Sequence, residues 1–184
     1  AILMMLKFNK KKPIVFNTVQ MYRWDRLEYL KILLNDKNNN DIIFGFKLVR
    51  GAYMEKERLT AKSLNIKSPI CESKLETDVN FDSGLDFVFE NLNRISLVCG
   101  SHNEESVIKI MNIMKEMNID NNDQKIWFGQ LYGMSDNITY NLADKGYNAF
   151  KILPFGPVRN LMPYLIRRAE ENTSVKGQTG RELQ

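Results

Sequence analysis

Side chains that ligate metals are scarce. The 184 residues include one histidine, His102, and two cysteines, Cys71 and Cys99, with no Cys-x-x-Cys or Cys/His ligand spacing. That excludes a dedicated zinc site, and the two thiols read as reduced rather than as a disulfide framework. Long apolar runs are missing too. None approaches the roughly 18 to 20 residues that span a bilayer, and the mean hydropathy is −0.36. Nor does one sign of charge dominate: 26 Lys and Arg against 22 Asp and Glu leave +4, with a sequence pI near 9.0. Lys and Glu are mixed along most of the chain, so the surface lacks the basic stripe of a nucleic-acid binder. No GxGxxG follows an apolar run and no GxxxxGK[ST] is present, which excludes Rossmann and P-loop phosphate sites. GxSxG is absent as well, and no Ser or Cys nucleophile motif accompanies His102, so a hydrolase triad is unsupported.

What is present is a globular balance, 43% hydrophobic and 26% charged, sufficient for one core over residues 1–184. Residues 1–8 are apolar and run into Lys10, Lys11 and Lys12, the reverse of signal-peptide order, and read as the end of a helix. Residues 13–19 form a β-prone run, after which Trp24, Leu27, Leu30 and Leu34 recur at helical spacing. A second strand is expected over 42–49, closed by Gly51, then a long polar loop and a helix from near Thr77 carrying Phe81, Leu85, Val88 and Leu92. A third strand, 95–99, precedes Ser101-x-x-Glu104, a capping-box order, and a helix with Val107, Ile110, Met111 and Met114 on its buried stripe. Strands at 125–131 and 149–153 are each followed by a helix, at 137–145 and 158–172. Five βα units call for a parallel sheet, either open and doubly wound or part of a (β/α)8 barrel. A complete barrel takes about 250 residues, so five units read as an incomplete one.

Both architectures put function at the strand carboxyl ends. The polar residues there are Asn17, Thr18 and Gln20; Lys47, Arg50 and Tyr53; Ser101, His102 and Asn103; Gln130 and Tyr132; and Lys151. The set is rich in cations and amides and poor in carboxylates. It suits an anionic ligand and not paired-carboxylate hydrolysis. In the last helix, Tyr164, Arg167, Arg168 and Glu171 share one face with Leu161. Two arginines there read either as a bidentate clamp on a carboxylate or as a solvated helix end whose cations complement the dipole. His102 likewise reads as a site residue or as a local cap.

Four motifs in order, KLVRGAY (47–53), SHNEE (101–105), WFGQLYGM (127–134) and PYLIRRAEEN (163–172), resemble the proline dehydrogenase family, including the flavin domain of proline utilisation A. The resemblance implies a (β/α)8 barrel of which this chain carries about strands four to eight and the final helix, with the earlier strands, and a family lysine and aspartate, absent. It implies FAD as cofactor and oxidation of L-proline to Δ1-pyrroline-5-carboxylate, with electrons passed to a quinone. Arg167 and Arg168 then correspond to the pair gripping the proline carboxylate, with Tyr164 and Tyr53 around the ring and Leu48 and Leu131 as its apolar floor. Gln20, Lys47, Val49, Arg50, Gly51, Ala52, Ser101, His102, Asn103 and Glu171 match flavin-side positions, Lys47 standing where many bacterial members have arginine near flavin N5. Ile152 stands where the family usually has a tyrosine over the ring, which makes a hydroxyproline dehydrogenase the alternative substrate reading. A non-catalytic partial barrel that binds carboxylates is the non-enzymatic alternative. Quinone coupling implies peripheral membrane contact, at the mitochondrial inner membrane in a eukaryote or the cytoplasmic face in a bacterium.

Overall fold

A computed structural model describes residues 1–174, with side chains described through residue 168. Among them, five parallel strands, β1 (Asn17–Gln20), β2 (Phe44–Val49), β3 (Ile95–Cys99), β4 (Ile126–Leu131) and β5 (Ala149–Ile152), pair in chain order. The helices are α1 (Ile2–Phe8), α2 (Arg26–Asn35), α3 (Met54–Ser63), α4 (Lys74–Glu90), α5 (Glu104–Glu116), α6 (Asp136–Asp144) and α7 (Val158–Ser174). Sequential order with every neighbour parallel is the wall of a (β/α)8-type barrel, built from five consecutive units.

The core lies between sheet and helices. Val19, Phe44, Phe46, Leu48, Ile95, Leu97, Cys99, Ile126 and Phe128 present one face of the sheet to Leu30, Phe81, Leu85, Val88, Val107, Ile110 and Met114. Each such side chain contributes about 1.5–3 kcal/mol on burial. Both cysteines are free and buried.

The structure shifts several expected boundaries. β1 begins at Asn17 because the preceding backbone bonds to a side chain instead: buried Asn9 accepts from the N–H groups of Ile14 and Val15 and donates to the carbonyls of Val15 and Ile43. Trp24 lies outside α2, half exposed, its indole N–H donating to the Ser68 carbonyl at 3.0 Å. The expected polar loop after β2 contains α3, which buries only Ala61. A helix with so little apolar stripe is invisible to periodicity, although its Glu, Lys, Arg, Leu and Ala favour helix. The capping box gives way to Asn103, whose side chain accepts from the Ser106 N–H at 2.9 Å, two residues later than expected.

Gly51 fixes how β2 leaves the sheet. Its φ is +127°, and a Cβ there would lie 1.4 Å from the ring of Tyr22. The Tyr22 hydroxyl donates to Glu57 of α3 at 3.2 Å, and Arg23 bridges the same carboxylate at 2.9 Å. Burial first, and then the Glu57 charge, push the Tyr22 hydroxyl up to about 12. Gly51→Ala should therefore destabilise by more than about 2 kcal/mol, combining strained backbone with ring displacement. Urea unfolding of the two proteins measures it.

Candidate functional site

Because the register is parallel throughout, side chains opposite one another in neighbouring strands point to the same face. With the odd positions of β1 and β3 and the even positions of β2 and β4 committed to the helix layer, the opposite face carries a second set. Thr18 pairs with Lys47, Gln20 with Val49, Lys47 with Val98, Val98 with Trp127, and Leu131 with Ile152. This face would line a barrel interior. Two glycines give it room: a Cβ at Gly100 would sit 2.8 Å from Lys47 Cε and 2.9 Å from a Val49 methyl, and one at Gly129 2.8 Å from the Phe150 ring. Neither glycine stood out among the candidate residues. An isolated glycine in or just past an apolar strand signals close approach.

Two polar groups on this face are incomplete. The Gln20 Oε1 atom is buried with no hydrogen-bond partner among the described residues. Lys47 is half-buried, and desolvation alone lowers its pKa, with no compensating carboxylate among the described residues. A donor for Gln20 and an anion or acceptor for Lys47 are what the site lacks internally.

α7 approaches the β2 exit through Arg167. The Arg167 guanidinium lies 5.7 Å from the centre of the Tyr53 ring, at the exit of β2, and that of Arg168 lies 5.2 Å from the Tyr164 ring. Both Nε atoms are buried, and that of Arg167 has no acceptor among the described residues. Tyr53 is partly open to solvent, at 39%. Thus Arg167, Tyr53 and Tyr164 belong to one neighbourhood built from α7 and the β2–α3 connection. The side chain of Glu171 lies outside the described residues.

Other expected site residues turn away. Leu48 is fully buried in the helix-side core, 3.6 Å from where a Cβ on Gly84 of α4 would be, and does not floor the opposite face. Arg50 shares its parity. Its Nε donates to Asp78 at 2.6 Å, its terminal nitrogens to Ser101 Oγ at 3.3 Å and Ser106 Oγ at 3.0 Å, and its guanidinium covers Phe81 at 4.4 Å. That cation ties strands to α4 and α5 and is not presented to the mouth. Asn17, Gln130 and Lys151 also face helices, bonding Tyr29, Thr139 and the Met134 carbonyl. Alternation decides each case, since a residue beside an inward position points outward. Leu131, Ile152 and Val49 stay on the inner face, and Ala52, His102 and Asn103 lie in the loops at strand exits. His102 Nδ1 is 2.9 Å from Ser135 Oγ.

Burial tends to raise the Asp78 carboxyl, but hydrogen bonds from Lys74 and Arg50, and their charges, hold it below the usual carboxylate range. A depressed carboxyl adds stability above its unfolded pKa of about 4 and loses it as pH falls through the folded value. Asp78→Asn should therefore lower Tm at pH 7 and approach the parent protein's Tm as the medium is acidified below about pH 4. Thermal melts across pH check this.

The geometry defines a βα-barrel-type protein with a cationic, aromatic-lined mouth at the strand carboxyl ends. A family model described as proline dehydrogenase matches residues 1–181. The chain is 40% identical over 176 residues to hydroxyproline dehydrogenase of Xenopus laevis, covering 94% of this chain and 38% of that protein. It is 38% identical over 184 residues to mitochondrial proline dehydrogenase 1 of Homo sapiens, covering 98% and 31%. Among solved structures, proline utilization A from Bdellovibrio bacteriovorus superposes with a TM-score of 0.83 at 29% identity, over 91% of this chain and 17% of that one. The chain belongs to the proline dehydrogenase family. It spans about a third of the length of these curated relatives.

Proposed function

We propose that this chain supplies the carboxylate clamp and much of the cofactor-facing wall of an FAD-dependent enzyme that oxidises L-proline to Δ1-pyrroline-5-carboxylate and passes electrons to a quinone. The observation that carries it is Arg167: a partly buried guanidinium against a tyrosine ring, with no carboxylate beside it among the described residues. A fork of this kind is completed by a ligand carboxylate.

The inner face fits a flavin. Gln20 Oε1 needs a donor and Lys47 needs an acceptor. An isoalloxazine ring edge supplies both N–H and acceptor groups. The chemistry a bound flavin would supply here is acceptance of hydride from proline C5. The chain's own residues then have separate tasks. Arg167 and Arg168 hold the carboxylate, Tyr53 and Tyr164 pack around the ring, and Leu131 with Ile152 gives it an apolar surface. Lys47, Val49, Gln20 and the 101–103 loop hold the cofactor side, and Glu171 belongs to the same set. Together they would position C5 for hydride transfer, which needs an approach of about 3–3.5 Å.

The holoenzyme that contains this chain should be yellow and bleach when L-proline is added without oxygen. A colourless protein that still binds prolinate-like acids would instead identify a non-catalytic module. Arg167→Ala should raise the proline KM roughly 10- to 100-fold, the value of a charge-assisted hydrogen bond, while the flavin spectrum is kept. Steady-state kinetics measure this, and an unchanged KM rejects the clamp.

A hydroxyproline substrate is the second reading, favoured by Ile152, paired with Leu131 on the inner face, and by the Xenopus relative's activity. Ile152→Tyr should shift the ratio of kcat/KM toward proline by roughly 5- to 100-fold, the range of 1–3 kcal/mol. Competition kinetics read the ratio. In a eukaryote the matrix side of the mitochondrial inner membrane is the proposed location, consistent with mitochondrial relatives. In a bacterium it is the cytoplasmic face of the membrane.

A further inference from the structure

Gln130 is fully buried on the helix side of β4, yet it is polar at a position whose strand neighbours on that face, Ile126 and Phe128, are core hydrophobics. A polar side chain in such a place costs stability unless each of its groups is matched. Both are matched, and by different elements. Its Nε2 donates to the Ser101 carbonyl at 3.2 Å, in the loop leaving β3, and its Oε1 accepts from the Thr139 hydroxyl of α6 at 2.9 Å. Ser101 is held from the other side as well, since its Oγ accepts from Arg50 at 3.3 Å and from the Asn103 N–H at 3.1 Å. The loop that carries His102 and Asn103 is thus clamped between the ends of β2 and β4, at a point where no ladder hydrogen bond reaches.

We propose that Gln130 is a positioning residue for the reaction. From the outer face of the sheet it sets the Ser101–Asn103 loop on the cofactor side and its own neighbour, Leu131, on the substrate side, to a common register. The inference rests on the flavoenzyme reading above. Gln130 touches neither ligand. Its effect comes through alignment, where displacement of about 1 Å costs on the order of 100-fold in rate.

The experiment uses the holoenzyme. Gln130→Leu keeps the volume and removes both hydrogen bonds. At saturating proline, kcat should fall 10- to 100-fold, while the dissociation constant of a prolinate-like inhibitor, read from the flavin spectrum, changes less than threefold because the arginine clamp is untouched. Thr139→Val removes the hydroxyl that donates to Gln130 and also approaches the Ser135 carbonyl at 3.3 Å, and should lower kcat 3- to 10-fold. Thr139→Ser, which retains the hydroxyl, should recover at least half of the parent rate. The effects of Gln130→Leu and Thr139→Val should be less than additive in the double variant, because both act through one contact. If Gln130→Leu does not fold, Thr139→Val and Thr139→Ser decide the matter. A lowered Tm with kcat per flavin within twofold of the parent in every folded variant would make the cluster merely structural and overturn the proposal. Failure of the parent holoenzyme to bleach with proline or hydroxyproline would instead reject the flavoenzyme reading on which the proposal rests.

Discussion

The parity of β2 governs both the core and the mouth. Phe44, Phe46 and Leu48 are all fully buried against the helices, so Lys47 and Val49 have only the inner face left to them. A slip of one residue would expose three large side chains, at about 1.5–3 kcal/mol each, and bury a lysine in their place. Hydrophobic burial on one side of the strand therefore holds a partly desolvated ammonium on the other. The same alternation, transmitted by parallel pairing through β3, β4 and β5, puts Leu131 and Ile152 on the lysine's face and sends Arg50, Gln130 and Lys151 outward.

The outward polar residues are not idle. Arg50 joins the exit of β2 to α4 through Asp78 and to α5 through Ser106, and covers Phe81. Gln130 joins β4 to α6 and to the β3 exit. These bonds lie at the edge where ladder pairing ends and loops begin. Loops supported only by their own turns would be the least stable part of the sheet. Satisfied polar pairs give them a fixed geometry, which a ligand-binding edge needs more than it needs additional stability.

Gly51 and α7 complete the mouth from opposite directions. At Gly51 the chain turns with positive φ under the Tyr22 ring, carrying Tyr53 outward, and α7 brings Arg167 over that tyrosine. The contact joins segments more than 100 residues apart in sequence. It explains why two arginines can sit on a helix face that also carries apolar residues: each guanidinium lies by an aromatic ring, which replaces part of its hydration.

Much of this was legible in the sequence. The alternation of β-prone runs with helical stripes gave five βα units in order, β3 was legible to the residue, and four separated motifs identified the family. Periodicity could not show α3, because a helix that buries one alanine leaves no stripe. The cap of α5 was misplaced because Ser101 and Asn103 are both competent acceptors, and only the fold shows that Ser101 is engaged by Arg50. The order of strands and the residues just past each one marked a strand-end set rich in cations and amides. Which of those groups lie on the inner face was decided only by tertiary structure, because adjacent residues in a strand point to opposite sides and the core chooses which side is in.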